Sequence, residues 1–232
     1  MNNPQSIYYD IQKSGPESLQ SISRSIDNED LTRWLNDPNW KIRNIGIKII
    51  HSLERDDMVG KLIELLTDRR PASFLDRIMG GDFYQVGFIR RNAAAAIGDL
   101  AAPSPEIAAA LHKALEDPYW EVRVEAVKAC RKLFTEDMPD ELHKSIESLL
   151  HDSKFEVVAE AITYLGEISE DSAVIDLFRS IYDHPNYYVK IALINALKRL
   201  HKRMIIAERS DLIKELNDIF IPGFYLQDRN NK

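Results

Sequence analysis

The residue types that most often carry chemistry are sparse in this sequence and do not occur at catalytic spacings. The single cysteine is Cys130, and among six histidines only His143 and His151 are close enough to share a helix. Eight residues place two side chains about 80° apart on a helix, which does not suit chelation of one metal ion. The sequence has no Gly-rich phosphate loop, His-Glu-x-x-His, Cys-x-x-Cys or Gly-x-Ser-x-Gly motif. We therefore expect no metal or cofactor and favour a binding function over an enzymatic one.

Basic side chains, by contrast, recur within a twelve-residue block that the chain repeats five times without gaps. The blocks are Ile42–Leu53, Ile89–Leu100, Val122–Leu133, Val157–Ile168 and Val189–Leu200. On a helix, block positions 3, 7 and 10 lie on one side. The formal charges at these positions are all positive although the chain has a net charge of −7; they belong to Lys48, Arg91, Lys128, Arg131 and Lys198. Together with Asn44 and Asn195, they predict a surface that binds an acidic partner.

Small residues share that side of the blocks, and we expect them to form the floor beneath a bound peptide or helix. They are Ala95, Gly98, Ala159 and Gly166. The opposite side, at positions 1, 5, 8 and 12, is apolar or small in every block, which predicts a buried helical stripe. Cys130 stands where the other blocks carry Ile or Leu, so we expect a core residue rather than a reactive thiol.

Each block follows a second amphipathic stretch, which predicts a helical hairpin. The first helices are expected at 31–35, 62–66, 107–115, 142–150 and 174–181. Turns that begin with Asp separate the two helices, because Asp favours turns and, where Pro follows, the residue before proline avoids the helical conformation. Asp37, Asp117, Asp152 and Asp183 mark these turns. Repeats of this length stack on their neighbours instead of burying a core alone.

The order Asp-Pro, aromatic, apolar residue, Arg and Ala-rich helix resembles the HEAT repeat, in particular the type found in phycobilisome lyases. The resemblance covers about residues 31–200. It implies an all-α, right-handed α-solenoid of about five hairpins, with a ladder of Asp and basic side chains between successive repeats. The ladder would involve the four turn aspartates with Arg43, Arg90, Arg123 and Lys190, while Val158 replaces the basic residue in the fourth block.

The second hairpin carries an insertion at 69–88 that is rich in aromatic residues. Phe74, Phe83, Tyr84 and Phe88 lie around the pair Gly80-Gly81. Two alternatives remain open for this rim. Either a short helix over 73–79 folds back and buries the rings, or they are exposed and contact a partner.

The expected organisation is a single α-solenoid domain over 1–232. Residues 1–30 form an N-terminal cap with a helix around Ser18–Ile26, 31–200 form the repeats, and 201–232 form a C-terminal cap with a helix from Asp211 to Phe220, followed by a tail. No segment approaches the length of an apolar membrane span, and the N-terminus lacks a signal-peptide pattern, so we expect a cytoplasmic protein that does not bind membranes.

A protein-interaction scaffold or adaptor is the function that these patterns favour, with an acidic protein or peptide as partner. Two alternatives remain. The basic surface could bind nucleic acid, although the net charge and the lack of aromatic residues on that surface disfavour this. The HEAT-like resemblance also allows a lyase or chaperone that acts on a pigment-carrying or modified protein, although no pigment-handling motif accompanies it.

Overall fold

The computed structural model describes residues 3–70, 82–135, 137–168 and 173–219, and these residues form thirteen α-helices and no strand. The chain divides into two compact units, Met1–Ser145 and Ile146–Lys232. The all-α fold of HEAT-like hairpins is confirmed. The prediction of one continuous domain stays a prediction.

Unit 1 is a stack of hairpins whose second helices form an inner row. Its helices are α1 (Pro4–Lys13), α2 (Pro16–Ser25), α3 (Asn28–Leu35), α4 (Trp40–Ser52), α5 (Val59–Leu65), α6 (Asp82–Leu100), α7 (Pro105–Leu115) and α8 (Trp120–Leu133). The inner row runs α1, α4, α6, α8, and each of these helices packs on the next. Helices α3, α5 and α7 pack outside α4, α6 and α8 respectively. Thus α1, which the repeated block does not include, occupies the first place in the inner row.

Unit 2 contains the last two inner helices. Helix α9 (Asp140–Ser148) crosses the boundary between the units and continues into a 3-10 turn, Leu149–His151; α10 (Phe155–Ile168), α11 (Ala173–Ser180), α12 (Tyr187–Ile206) and α13 (Ser210–Ile219) follow. Helices α10 and α12 form an extensive contact, and α13 packs on α11 and α12. The C-terminal helix begins at Ser210, one residue before the predicted Asp211, and Phe220 lies outside the described residues.

A carboxylate sets the turn between the two helices of four hairpins. Its Oδ1 accepts a hydrogen bond from the backbone amide two residues later, which closes a turn after the first helix of the hairpin. The donor–acceptor pairs are Asn39 to Asp37 (2.7 Å), Arg70 to Asp68 (2.9 Å), Tyr119 to Asp117 (2.8 Å) and Lys154 to Asp152 (2.8 Å). Asp68 was missed in the sequence because the insertion separates it from its block. In the fifth turn His184 takes this role instead of Asp183, since its Nδ1 accepts from the Asn186 amide at 3.1 Å.

The predicted apolar stripe is buried in all five inner helices of the repeats. Positions 5 and 8 are fully covered throughout, from Gly46 and Ile49 in α4 to Leu193 and Ala196 in α12. Position 12 is buried or half-buried. Burial extends further around each helix than the stripe alone, however, because each inner helix contacts both its outer partner and the neighbouring inner helices.

Cys130 confirms the prediction of a core residue and provides a test of the packing. It is fully buried in α8, and burial raises the pKa of its thiol to about 12. Since the thiolate is the reactive form, we expect no reaction of the native protein with a disulfide reagent such as DTNB at neutral pH, and complete reaction in denaturant. Rapid labelling of the native chain would show that α8 is not packed as described.

Candidate functional site

Buried arginines at block position 2 hold the inner helices of unit 1 in register. In the second hairpin, Arg90 forms two hydrogen bonds with the carboxylate of Asp117 in the next turn, at 2.7 and 2.8 Å, and a third with the carbonyl of Asp68 at 3.1 Å. Arg123 donates to the carbonyl of Asp117 at 2.7 Å. The turn at Asp117 is thereby bonded to α6, the inner helix of the preceding hairpin, and to α8, the inner helix that follows it.

The same arrangement occurs one repeat earlier, around Asp68. Nε of Arg43 lies 2.9 Å from Oδ2 of Asp68, and Nη1 of Arg43 donates to the carbonyls of Asp37 and Pro38 at 2.7 and 3.0 Å. The Nε contact is an ion pair that is not aligned as a hydrogen bond. Arg70 supplies aligned hydrogen bonds to the same carboxylate at 3.0 Å. The ladder implied by the HEAT resemblance is thus present at Arg43 and Arg90, with Asp68 as the rung that the sequence did not reveal.

Both buried carboxylates are kept charged by these contacts. Burial by itself raises the pKa of Asp117, but the hydrogen bonds from Arg90 and from the Tyr119 amide lower it by more, so the net pKa shift is downward. At Asp68, burial likewise raises the pKa and the hydrogen bonds from Arg70 lower it, and the net pKa shift of Asp68 is again downward. Because hydrogen bonds to the charged form favour ionisation, both side chains act as structural anions.

In α6 and α10, the side that faces solvent differs from the predicted one at block position 10. Gly98 and Gly166, expected as the floor of an open surface, are buried against the next inner helix. A Cβ atom added at Gly98 would lie 2.9 Å from the α-carbon of Ala129, and one at Gly166 would lie 2.5 Å from Cβ of Ala196. These glycines are therefore contact points between helices. The open sector is centred nearer positions 4, 7 and 11.

Several predicted binding residues do lie together on the open sector of unit 1. We define the inner face of unit 1 by Asn44, Lys48, Arg91, Asn92, Lys128 and Arg131, which are exposed or half-buried and come from α4, α6 and α8. Asn92, at position 4, is an addition to the predicted set. The other two predicted residues, Asn195 and Lys198, are exposed on α12 in unit 2.

Two of the positive charges of this face, those of Arg91 and Lys128, are paired with neighbouring acids, and further ion pairs border the face. Arg91 pairs with Glu121, which also accepts a hydrogen bond from the Tyr119 hydroxyl at 2.6 Å. Lys128 pairs with Glu125 at 2.9 Å. Lys132 and His51 both contact Asp99, the latter at 2.9 Å. Positions 4 and 11 supply Glu125 and Asp99, and Glu121 lies in α8 just before the block, so the one-sided charge of positions 3, 7 and 10 does not make the face strongly basic.

Contacts between successive helices, and one contact within α6, order the same face. The Nδ2 group of Asn92 donates to Oδ1 of Asn44, which connects α6 to α4. The ammonium of Lys48 lies 5.4 Å from the ring centre of Tyr8 in α1, and the guanidinium of Arg91 lies 4.9 Å from that of Phe88. Amide and cationic groups are thus held at the surface by neighbours and need little ordering on binding.

The rim insertion is described only in part. Phe74 lies outside the described residues, and of Phe83 and Tyr84 only the backbone is described, as the first turn of α6. Phe88 is half-buried and meets the Tyr119 ring edge-on, with centroids 6.0 Å apart. Residues 82–88 therefore lengthen the second inner helix by about two turns, and Phe88 belongs to the packing beside the inner face.

Unit 2 exposes aromatic residues that the repeated block does not contain. Tyr187 and Tyr188 begin α12 and are 70% and 63% exposed, and the Tyr188 ring stacks on Phe155 of α10 at 5.6 Å. The sequence signal that could have found them is the aromatic residue that starts an inner helix, as in Trp40, Trp120, Phe155 and Tyr187. These positions precede the block, so a comparison of the blocks alone does not reveal them.

Unit 1 also contains a groove at one edge, lined by the start of α7, the end of α8 and the start of α9. Its volume is about 690 Å³, and its lining is mainly apolar, with His112, Asp137 and Glu141 among the polar groups. None of the predicted binding residues lines it. Within the described ranges, no group of three His, Cys, Asp or Glu side chains could hold a metal ion. No described helix combines the length and apolarity of a membrane span.

Comparison with known proteins supports the repeat fold. The family model described as Cnd1, non-SMC mitotic condensation complex subunit 1, matches residues 88–205. Two crystal structures of engineered proteins superpose on 86% of this chain. One has 15% identity, 99% coverage of its own length and a TM-score of 0.56, and the other has 17% identity, 89% coverage and a TM-score of 0.54. A designed armadillo repeat protein, solved in complex with the peptide (KR)4, aligns over 86% of this chain and 100% of the designed protein. The identity is 18% and the TM-score is 0.48. No curated protein matches.

Proposed function

We propose that this chain, which belongs to the Cnd1 family of non-SMC mitotic condensation complex subunits, is a scaffold that binds a segment of another protein. The inner face of unit 1 is the proposed binding surface. The family description is that of a subunit within a complex, which agrees with a role in assembly. Stacked helical repeats are typical of such scaffolds because they present a long, rigid surface.

The observation that supports this proposal is a series of side-chain contacts that runs across four successive inner helices. Lys48 with Tyr8 connects α4 to α1, Asn44 with Asn92 connects α4 to α6, and Arg91 with Glu121 connects α6 to α8. Within α6, the Phe88 ring also contacts the Arg91 guanidinium. Asn side chains both donate and accept, so this face can satisfy the backbone of a bound peptide. Ordering these groups in advance reduces the entropy lost on binding.

An acidic segment remains the proposed partner, with a modest electrostatic contribution. Its carboxylates would displace Glu121 and Glu125 from Arg91 and Lys128, exchanging one exposed ion pair for another. Such pairs contribute about 0.2–1 kcal/mol each. The charges would therefore set orientation and selectivity more than total affinity. The same acids disfavour a nucleic acid on this face, because phosphate binding depends on a strongly positive surface.

Charge reversal on the inner face tests the proposal. We expect Lys128→Glu with Arg131→Glu to abolish recovery of the specific partner when the purified chain is used to capture proteins from a lysate of its source. The reversal places two additional acids beside Glu125 and repels an acidic segment. Recovery would be measured by quantitative mass spectrometry.

The matched control is Lys113→Glu with Lys144→Glu, which makes the same change in net charge at exposed positions of α7 and α9. The control should recover the partner as the unmodified chain does. Equal recovery by both double variants would exclude the inner face of unit 1 as the binding surface.

A further inference from the structure

Helix α12 carries the largest net positive charge among the described helices. It contains five basic residues, Lys190, Lys198, Arg199, Lys202 and Arg203, and no acidic residue, in a chain whose net charge is −7. Arg199 pairs with Glu167 of α10 at 2.7 Å, and Arg203 donates to the Glu167 carbonyl. Lys190, Lys198 and Lys202 are exposed.

The exposed apolar residues of the described chain are concentrated on the same helix. Six large apolar side chains are exposed among the described residues, and five of them belong to α12: Tyr187, Tyr188, Ile191, Ile205 and Ile206. Tyr187 and Ile206, at the two ends, are 70% and 73% exposed. Single exposed apolar residues are ordinary, but a concentration on one helix marks an interaction surface.

These apolar and basic residues occupy one side of α12, which we call the terminal face: Tyr187, Ile191, Lys198, Lys202, Ile205 and Ile206. At 100° per residue they fall within a sector of about 100°, and they extend over roughly 28 Å of helix. The apolar residues lie at the two ends of the face, and the two lysines lie between them.

In the preceding hairpin of unit 2, the corresponding side of the inner helix is covered. Gly166 of α10 receives Ala196 of α12, and Phe155 stacks on Tyr188. At the position equivalent to Gly166, α12 carries Lys198, and Gly98 holds that position in α6. A lysine there is incompatible with the close approach that the glycines allow, although α6 packs on α4, which carries His51 at this position. A partner on the terminal face must therefore make its contact through long side chains.

We propose that the terminal face docks an acidic helical segment of another protein, with carboxylates in the middle of the segment and apolar side chains at both ends. The carboxylates would pair with Lys198 and Lys202, and the apolar ends would cover Tyr187 with Ile191 and Ile205 with Ile206. This inference deepens the proposed function by assigning a chemistry and a second surface to protein binding. It rests on the charge and apolar pattern of one helix and not on the inner face of unit 1.

The same pattern disfavours the other occupants. In an antiparallel pairing with a second copy, the apolar ends would match but four lysines would meet in the middle. A helix that lies on a membrane has an uninterrupted apolar side with basic residues at its margins, and inserting this face into lipid would bury Lys198. Residues 220–232 carry one acidic and two basic side chains, so they do not complement the lysines.

A pair of synthetic peptides tests the proposal on the full chain. The first is a labelled helical peptide of about 20 residues, the length that α12 presents, with leucines at both ends and glutamates in the middle. The second has lysines in place of the glutamates. We expect the acidic peptide to bind in a fluorescence-anisotropy titration, more weakly as salt is raised, and the basic peptide to bind at least about tenfold more weakly.

Substitutions locate the binding. Lys198→Glu with Lys202→Glu should weaken the affinity for the acidic peptide about tenfold or more. Tyr187→Ser with Ile191→Ser should weaken that affinity by a similar factor, and this loss should not depend on the salt concentration. The matched control is Lys154→Glu with Lys214→Glu, at exposed positions of the same unit, which should change affinity less than about twofold. All substituted side chains are exposed, and thermal unfolding would confirm that the variants remain folded.

Each other outcome overturns the proposal. No binding of the acidic peptide, or unchanged affinity of the Lys198/Lys202 variant, would remove the terminal face as its site. Loss of binding only in the Lys128/Arg131 variant would place the peptide on the inner face of unit 1, leaving the proposed function standing and this inference wrong. A dimer detected by light scattering and dissociated by the Lys198/Lys202 change, or tighter binding to phosphatidylserine vesicles than to the peptide, would identify a different occupant.

Discussion

Replacing Asp117 with Asn is expected to destabilise unit 1 by about 3–5 kcal/mol, which is the usual effect of removing one partner from a buried ion pair. Arg90 is 4% exposed and would lose the anion that holds it through two hydrogen bonds. The side-chain oxygen of Asn can still accept the hydrogen bond from the Tyr119 amide and close the turn. The loss of stability therefore measures the ion pair rather than the turn. Urea unfolding followed by circular dichroism would measure it.

Labelling of Cys130 provides a local measurement for the same variant. Because the thiol reacts only when α8 opens, a loss of about 3 kcal/mol should raise the labelling rate by more than about a hundredfold. The control is Asp99→Asn, which removes contacts to His51 and Lys132 from a partly exposed carboxylate. We expect that control to change stability by less than about 1 kcal/mol. Equal effects of the two changes would show that the ladder does not stabilise the stack.

Removing the ion pair by Asp117→Asn should also change the pH dependence of stability. The folded-state pKa of Asp117 is lowered, so its charged form stabilises the fold above the unfolded-state pKa of about 3.9. This contribution is lost as the pH falls through the lower folded-state pKa. The unmodified chain should therefore lose stability more steeply than the Asn variant on acidification below about pH 4. Asp68, whose pKa is also lowered, would leave a remaining slope in the variant.

Replacing Gly166 with Ala should destabilise unit 2, although the same change in an open helix is stabilising. The added Cβ would lie 2.5 Å from the β-carbon and 2.9 Å from the α-carbon of Ala196, and neither atom can move without shifting α12. Overpacking of this kind destabilises by about 1–3 kcal/mol, against a gain in helix propensity of up to about 1 kcal/mol. We expect a net loss in urea unfolding, and a larger loss for Gly166→Val.

Gly60→Ala is the matched control, because nothing lies within 4 Å of the added atom in α5. It should leave stability unchanged or raise it by up to about 1 kcal/mol. Combining Gly166→Ala with Ala196→Gly should recover part of the loss, since the clash with the Ala196 methyl group disappears while the clash with the backbone of α12 remains. A stabilising effect of Gly166→Ala alone would show that α10 and α12 are further apart than the structure has them.

The repeat, the buried stripe and the hairpin order could be predicted because each follows from local sequence. Apolar residues at positions 1, 5, 8 and 12 give the helix one apolar side, which is buried whichever helix packs against it. The Asp turns and the aromatic residues that begin the inner helices are local signals as well. Cys130 could be placed in the core by comparison with the equivalent residues of the other blocks.

The candidate site was predicted less completely, and particular residues show why. Lys48, Arg91 and Lys128 were found by their position on the helix, but the acids that pair with Arg91 and Lys128 come from other positions and, for Glu121, from another helix. Asn92 pairs with a residue 48 positions earlier in the chain. No spacing within one block shows such contacts.

The sequence by itself determined that this chain forms stacked helical hairpins, because a repeated helical periodicity is a property of neighbouring residues. Only the tertiary structure decided which polar positions face solvent. Gly98 and Gly166 are contact points because another helix lies against them, whereas Lys198 is exposed at the equivalent position of α12. That difference depends on the packing of whole helices, and the surfaces available to a partner follow from it.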